Sequence, residues 1–394
     1  MENGNCAMEI MEGLRTMSGM DLFQGFYKGK RILITGHTGF KGSWLSLWLT
    51  GLGARVTGFS LGVPTHPALF TALYLARDID HRRGDIRNYA KLRKALTEAR
   101  PQIVFHLAAQ ALVLPSYREP RQTYETNVMG TVNLLEAVRE IGSVRALVNV
   151  TSDKCYQNRE TRRGYREDDP LGGGDPYSSS KGCSELVTTA YRRSFFGAAG
   201  GRKRYRTAVA TARAGNVIGG GDWAAGRLVP DCVRSLRANR PIMLRNPNAV
   251  RPWQHVLDPL CGYLQLAKML YDNDGRFTQA WNFGPNDARG VPVRDVVSTV
   301  IKLWGHGRWR RAGTAASHEA VMLRLNTKKS RALLKWRPVY PLPQALKATV
   351  EWYRNYHQGQ AGNIRHYSER QIEEYCHSAL KLSGTTADRR GGKA

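Results

Sequence analysis

None of the six cysteines (Cys6, Cys155, Cys183, Cys232, Cys261, Cys376) pairs with another at Cys-x-x-Cys spacing, and the ten histidines show no paired metal-ligand spacing. The expectation is therefore reduced thiols in a cytoplasm, with no structural metal and no disulfide framework. No apolar run approaches the about 20 residues of a membrane span. The opening residues lack the positive start and apolar centre of a secretory signal, so residues 1–28 read as a loose N-terminal extension.

Acids are also scarce. Asp and Glu number 32 against 59 Lys and Arg, which leaves a formal charge of +27. The excess is scattered through Tyr191-Arg192-Arg193, Gly201-Arg202-Lys203-Arg204-Tyr205-Arg206, Gly307-Arg308-Trp309-Arg310-Arg311 and Asp388-Arg389-Arg390. No helix-turn-helix, zinc-finger or RNP-type motif accompanies it, so a solvated arginine-rich surface outranks specific nucleic-acid binding. Some of these side chains suit an anionic nucleotide substrate.

What is present begins with Thr35-Gly36-His37-Thr38-Gly39-Phe40-Lys41-Gly42, between the apolar run Arg31-Ile32-Leu33-Ile34 and Ser43-Trp44-Leu45-Ser46-Leu47-Trp48-Leu49. These read as strand, glycine loop and helix. Gly36 permits the tight turn, Gly39 lets the backbone approach a pyrophosphate, and Gly42 lets helix and strand pack closely. His37, Thr38 and Phe40 fall inside the same cradle, and the helix N-terminus offers N–H groups to an anion. Taken alone, the string also fits an ordinary glycine-rich turn. Arg55–Ser60 reads as a second strand, and Ser60 stands where a ribose-binding acid often does, so NAD versus NADP stays open. Gly84-Asp85-Ile86-Arg87 is either a loop that meets an adenine edge through Asp85 or a plain surface turn. Ile103-Val104-Phe105-His106-Leu107 ends in Ala108-Ala109-Gln110, small enough for a cofactor to lie against the strand end.

Arg145–Val150 is another strand, and Thr151-Ser152-Asp153-Lys154 places polar groups at its carboxyl end, where open α/β sheets bind ligands. In Asp175-Pro176-Tyr177-Ser178-Ser179-Ser180-Lys181, Tyr177 and Lys181 share one helical face. An ammonium beside a phenol lowers its pKa and readies it as a base. An isolated pair would read as a surface contact, but Ser152 and Asp153 shift the balance towards chemistry. Beyond Ala214-Gly215-Asn216, a helix starts at Arg227, and Arg251-Pro252-Trp253-Gln254-His255 offers a guanidinium group for phosphate. Trp253 either stacks on a ligand or packs the core. At 394 residues two lobes are expected. The layout is an α/β, doubly wound parallel sheet over 29–213 and a smaller C-terminal α/β lobe over 214–375, parts of which are free to return to the first. Residues 376–394 read as a disordered basic tail.

The glycine string together with Tyr-x-x-x-Lys resembles the extended short-chain dehydrogenase/reductases that act on nucleotide sugars, a dehydratase and epimerase group with a Rossmann domain. Thr151-Ser152-Asp153-Lys154-Cys155-Tyr156, Gly173-Gly174-Asp175-Pro176-Tyr177 and Arg251–His255 look like the branch that dehydrates CDP-glucose, over about Phe23 to Tyr375. The resemblance implies bound NAD, contacted by Gly36, His37, Thr38, Gly39, Phe40, Gly42, Ser60, Asp85, Ile86, Leu107, Ala108, Ala109, Tyr177 and Lys181. It implies an internal redox cycle in which Tyr177, aided by Lys181 and Ser152, removes a proton as sugar carbon 4 is oxidised. Asp153 then protonates the departing carbon 6 hydroxyl, and Lys154 stands at the base position. Gln110, Asn216, Arg227, Arg251, Trp253 and His255 would line the nucleotide-sugar site, and a homodimer or homotetramer is implied. The alternatives are a 4-epimerase, a dehydratase for a dTDP-, UDP- or GDP-sugar and, remotely, a basic nucleic-acid-binding protein on a dehydrogenase-like scaffold.

Overall fold

The computed structural model describes residues 21–161, 163–196, 207–272, 275–285, 290–313, 322–359 and 363–388. Most of the N-terminal extension, Cys6, the basic run 201–206 and the last six residues lie outside these. Seven strands form one parallel sheet: β1 (Arg31–Thr35), β2 (Arg55–Ser60), β3 (Asp80–Arg83), β4 (Ile103–His106), β5 (Ala146–Val150), β6 (Ala208–Ala214) and β11 (Ala280–Phe283). Their spatial order is β11-β6-β5-β4-β1-β2-β3. The chain reverses its direction of travel between β1 and β4, and that switch opens a crevice at the carboxyl ends of the strands. β4, β5 and β6 are buried at every residue. Helices covering both faces explain why their sequences are apolar runs and do not alternate.

The covering helices include α1 (Phe40–Gly51), α2 (Tyr89–Ala99), α3 (Gly130–Ile141) and α4 (Pro176–Tyr191). Each start has a local cause. The Asn88 side chain accepts from Lys91 N at the head of α2, and Asp175 does the same for Ser178 N at α4, with Pro176 in the first turn.

The smaller lobe holds short ladders, β7 (Val217–Ile218) with β10 (Gln254–His255), β8 (Ile242–Leu244) with β13 (Trp309–Arg311), and β9 (Val250–Arg251) with β12 (Val291–Pro292). Around them pack α5 (Leu228–Arg237), α7 (Val293–Trp304) and α8 (Leu342–His357). Between β10 and β11 the chain returns to the large sheet through α6 (Leu257–Asp272).

Trp281-Asn282-Phe283 is a part of 214–375 that returns to the large sheet, pairing with β6 from Ala280↔Thr211 to Phe283↔Ala214, where its apolar side chains complete the central core. Two expectations are corrected. The end of the extension is not loose: Phe23 and Tyr27 are buried, and the Tyr27 hydroxyl donates to Leu264 O. The tail does not become disordered after Tyr375. Helix α9 (Ile364–Asp388) runs through that point. Tyr375 and Cys376 are buried, and the Tyr375 hydroxyl donates to Asp258 Oδ1 at 2.9 Å. An aromatic and a thiol at that spacing anchor a helix that composition alone had assigned to the solvent.

Candidate active site

The glycine cradle lies at the carboxyl end of β1. Gly36 has φ +75°, and a Cβ there would stand 2.6 Å from Ala108 N. A Cβ on Gly42 would fall 2.2 Å from Gly36 O, so both positions are closed by backbone. A Cβ on Gly39 would meet only Gly36 O at 3.3 Å. That contrast is what a diphosphate cradle needs: two glycines for packing, and one beside open space. The N-terminus of α1 has no side-chain cap and no acid in its first turn, leaving its amides to an anion. At the end of β2 the buried Ser60 hydroxyl has no hydrogen-bond partner, as a group waiting for a ribose would. These residues fit a dinucleotide.

The neighbouring positions differ among themselves. The Thr38 hydroxyl donates to Gly62 O at 2.5 Å, and His37 Nε2 shares a 2.7 Å hydrogen bond with His81 Nδ1. Phe40, Leu107, Ala108 and Ala109 line the crevice half-buried, and Ile86 is buried against Gly130. The Asp85 carboxylate is taken by Arg87 at 2.7 Å, which with its other hydrogen bonds holds it below the usual carboxylate range.

Helix α4 carries Tyr177 and Lys181, both buried, against the end of β5. Lys181 Nζ donates to Val150 O at 3.4 Å. Burial lowers its amine to about 8. The Tyr177 phenol is pushed up to about 12, chiefly by burial, with the Ser152 hydroxyl pulling it back and Asp153 raising it further. The expected lowering by Lys181 is not among its largest influences. The Ser152 hydroxyl donates to Asp153 Oδ1 at 3.1 Å. Burial lifts the Asp153 carboxyl above its ordinary range against the opposing pull of Lys154, Ser152, Arg251 and Lys41. Its Oδ2 has no partner. A carboxyl whose affinity for a proton is raised by burial is better suited to act as a general acid than an exposed one.

From the smaller lobe, Arg227 pairs with the buried Asp222 at 2.9 Å and bears on Tyr177. Arg251 is buried, donates to Val250 O at 3.0 Å and reaches Asp153 electrostatically. Asn216 is half-buried, its carbonyl accepting from Gln254 N. Three residues expected at the ligand make contacts within the chain. Gln110 donates to Leu112 O and Thr123 Oγ1 and accepts from Leu112 N. Trp253 packs in the core and donates to Val291 O at 3.2 Å. His255 is fully buried beside the Tyr340 ring, and burial lowers it to about 3.

Sequence reasoning missed four groups. Lys41 faces Arg227, Lys181, Asp153 and Asp222 from within the cradle, and Tyr263 of α6 lies close enough to Asp153 and Tyr177 to feel both. Asp222 sits at the end of a glycine run. Glu185, one turn beyond Lys181, accepts from Thr151 and ties α4 to the strand end. Only Glu185 carried a signal, since the spacing Lys181-x-x-x-Glu185 continues the face already singled out.

A family model described as GDP-mannose 4,6 dehydratase matches residues 33–274. The CDP-glucose 4,6-dehydratase of Salmonella typhimurium is 48% identical over 359 residues, 91% of this chain and 99% of the relative. The chain belongs to this family of nucleotide-sugar dehydratases. A dTDP-glucose 4,6-dehydratase of Xanthomonas campestris is 27% identical over 82% of the chain and 92% of its own length. Among solved structures, the dTDP-glucose 4,6-dehydratase of Streptomyces venezuelae, with NAD bound, superposes with TM-score 0.71 at 24% identity over 85% of this chain and 99% of that one. The epimerase Mth375 of Methanothermobacter thermautotrophicus superposes with TM-score 0.73 at 22% identity, over 87% and 97%. These structural likenesses carry the Rossmann-type fold of the family.

Proposed function

We propose that this chain is a hydro-lyase converting CDP-D-glucose to CDP-4-dehydro-6-deoxy-D-glucose and water, with NAD held on the glycine cradle. The observation that carries the reading is the 48% identity to a CDP-glucose 4,6-dehydratase along nearly the whole of both chains. NAD when bound accepts and later returns the electrons of sugar oxidation, so it is recycled. Tyr177 removes the proton of the carbon 4 hydroxyl, steadied by Ser152. Asp153, lifted by burial, protonates the departing carbon 6 hydroxyl, and Lys154 stands at the base position for carbon 5. Arg251 and Arg227 hold the substrate diphosphate. In this reading 29–213 with the returning α6 and β11 holds the cofactor, and the rest of 214–375 holds the nucleotide sugar.

A second copy of the chain covers exposed apolar side chains on α4 and just before α3, Leu186 and Met129, which are 59% and 51% exposed. Among the described residues no helix is long and apolar enough to cross a membrane, and the free thiols Cys155, Cys183, Cys232, Cys261 and Cys376 support a cytoplasmic setting.

Incubation of the purified protein with NAD and CDP-, dTDP-, UDP- and GDP-glucose in turn tests the reaction. The expected result is the alkali-induced ultraviolet absorbance of a 4-keto-6-deoxy sugar, strongest with CDP-glucose. A product consisting of galactose isomers alone would overturn the dehydratase reading in favour of an epimerase.

A further inference from the structure

We propose that Asp222 is a positioning residue for the substrate: it presets the Arg227 guanidinium, leaving donors free for the diphosphate of an arriving nucleotide sugar. The proposal rests on the nucleotide-sugar reading above, in which Arg227 holds that diphosphate.

The loop after β7 that carries Asp222 is clamped along its length. A Cβ on Gly219 would stand 2.7 Å from Val256 Cγ1, one on Gly220 2.0 Å from Trp352 Cγ, and one on Gly221, where φ is +80°, 2.4 Å from Leu69 Cδ1. Gly220 O accepts from Trp44 Nε1 of α1 at 3.0 Å. Next in the chain, Trp223 packs against Trp352, Tyr353 and Tyr356 of α8, with ring centroids 5.5, 6.2 and 5.0 Å away. Arg234 of α5 donates to Trp223 O at 3.0 Å. Side chains from three helices therefore fix the backbone on either side of Asp222.

Asp222 itself is held at three atoms. Its main-chain O accepts from the buried Tyr353 hydroxyl, Oδ1 accepts from Ala224 N at 3.1 Å, and Oδ2 accepts from Arg227 Nη1 at 2.9 Å. The acid side chain is 7% exposed and the arginine side chain 34%, so the guanidinium lies between the buried carboxylate and solvent. Among the described residues its hydrogen bonding is confined to Nη1, which leaves donors on Nη2 and Nε for a phosphate. Neighbouring contacts place this group beside the chemistry. A Cβ on Gly226, just before Arg227, would stand 3.7 Å from Leu114 Cδ1. Two residues beyond Leu114, the buried Ser116 Oγ accepts from Tyr177 N at 3.2 Å. An arginine free to rotate gives up that freedom when it grips an anion, whereas one already seated gives up little. The acid stands a guanidinium's width further from the phosphate than the arginine does, so its repulsion is the smaller effect.

CDP is titrated into the NAD-loaded full-length protein by calorimetry, and NAD into the free protein, for wild type, Asp222→Asn, Arg227→Met and the double variant. Arg227→Met should weaken CDP by about 10–100-fold, as the loss of a hydrogen bond from a charged group does. Asp222→Asn should weaken CDP by about three- to tenfold, because the guanidinium then has to be ordered on binding, and leave NAD affinity as in wild type. In the double variant CDP should bind no more weakly than in Arg227→Met alone, because Asp222 acts through that side chain. CDP affinity that is unchanged or higher in Asp222→Asn overturns the proposal. So does an equal loss of NAD, or losses that simply add in the double variant, since either marks an acid that only supports the fold. Should Asp222→Asn not fold, Tyr353→Phe releases the main-chain end of the same residue. It should weaken CDP by about twofold to threefold, and an unchanged affinity overturns the proposal. Undiminished CDP affinity in Arg227→Met removes the diphosphate contact on which the proposal stands. A wild-type protein that binds NAD but no CDP sinks the nucleotide-sugar reading itself.

Discussion

Two buried charged regions lie a few residues apart along β5 and α4, and they are built on opposite plans. In the first, Glu185 accepts from Thr151 Oγ1 at 2.5 Å, Thr211 Oγ1 at 2.7 Å and Arg213 at 2.8 Å. Arg213 donates also to the Tyr156 hydroxyl and Glu167 O, at 2.8 and 3.0 Å. Burial raises the Glu185 carboxyl, yet Arg213 and the hydrogen bonds outweigh it and hold the group below its ordinary range. In the second, Asp153 keeps one oxygen without a partner, Lys41 is driven towards neutrality and burial prevails at both. The Glu185 carboxylate, engaged at both oxygens, fixes the geometry although Arg213 Nε has no hydrogen-bond partner, whereas Asp153 and Lys41 keep the capacity to bind charge and move protons. A carboxylate whose oxygens are both engaged within the protein leaves nothing for a substrate, so the two plans have to be separated in space.

The sharpest way to break this comparison is Asp153→Asn. It should slow water loss by about 10²–10⁴-fold, the usual contribution of a general acid, while oxidation at carbon 4 remains detectable by cofactor absorbance in a single turnover. Its melting temperature should not fall, because the amide relieves an unpartnered buried carboxyl. Equal loss of both chemical steps would remove the role given to Asp153.

Arg213→Met should behave in the opposite sense, losing about 3–5 kcal/mol of stability in denaturant unfolding, because Glu185 would be left charged and alone in the interior. If Arg213→Met proved as stable as wild type, the contrast between a structural and a functional ionic centre would not hold.

A smaller effect belongs to Asp258, which lies between the two plans. Its Oδ1 accepts from Val339 N at 2.6 Å and from Tyr375 at 2.9 Å, while Oδ2 has no partner. Burial carries it to about 7. The folded state therefore holds this proton more tightly than the unfolded chain, whose Asp titrates near 3.9. Its stabilising contribution is complete below about pH 4 and is lost as pH rises towards 7, at no more than about 1.4 kcal/mol per pH unit. Asp258→Asn should flatten that slope in unfolding curves measured from pH 4 to 8. An unchanged slope would show that Asp258 is not the group responsible.

What the sequence disclosed is local. Gly36, Gly39 and Gly42 at three-residue spacing, the Tyr177–Lys181 face and the polar cluster after Val150 are each defined by residues within one turn or one strand end, where backbone geometry alone sets the relation. The boundaries of β2, and the start of α5 to within one residue of Arg227, followed from the same short-range rules. Composition misled at Tyr375 and Cys376, because a few buried side chains can anchor a helix whose average is polar.

The surroundings of Gln110, Trp253, His255 and Lys41 arise only in the tertiary structure. Each carries chemistry that suits a ligand, and nothing nearby in sequence says whether a ligand or another part of the chain will claim it. Within the chain, Thr123, Val291 and Tyr340 are contacts of the first three. Lys41, by contrast, meets mostly charge of its own sign, brought together from α4, α5 and the loops after β5 and β7. A side chain's type sets what it can do within one turn of the chain. Burial and distant charge, which arise only on folding, set which protonation state and which partner it has.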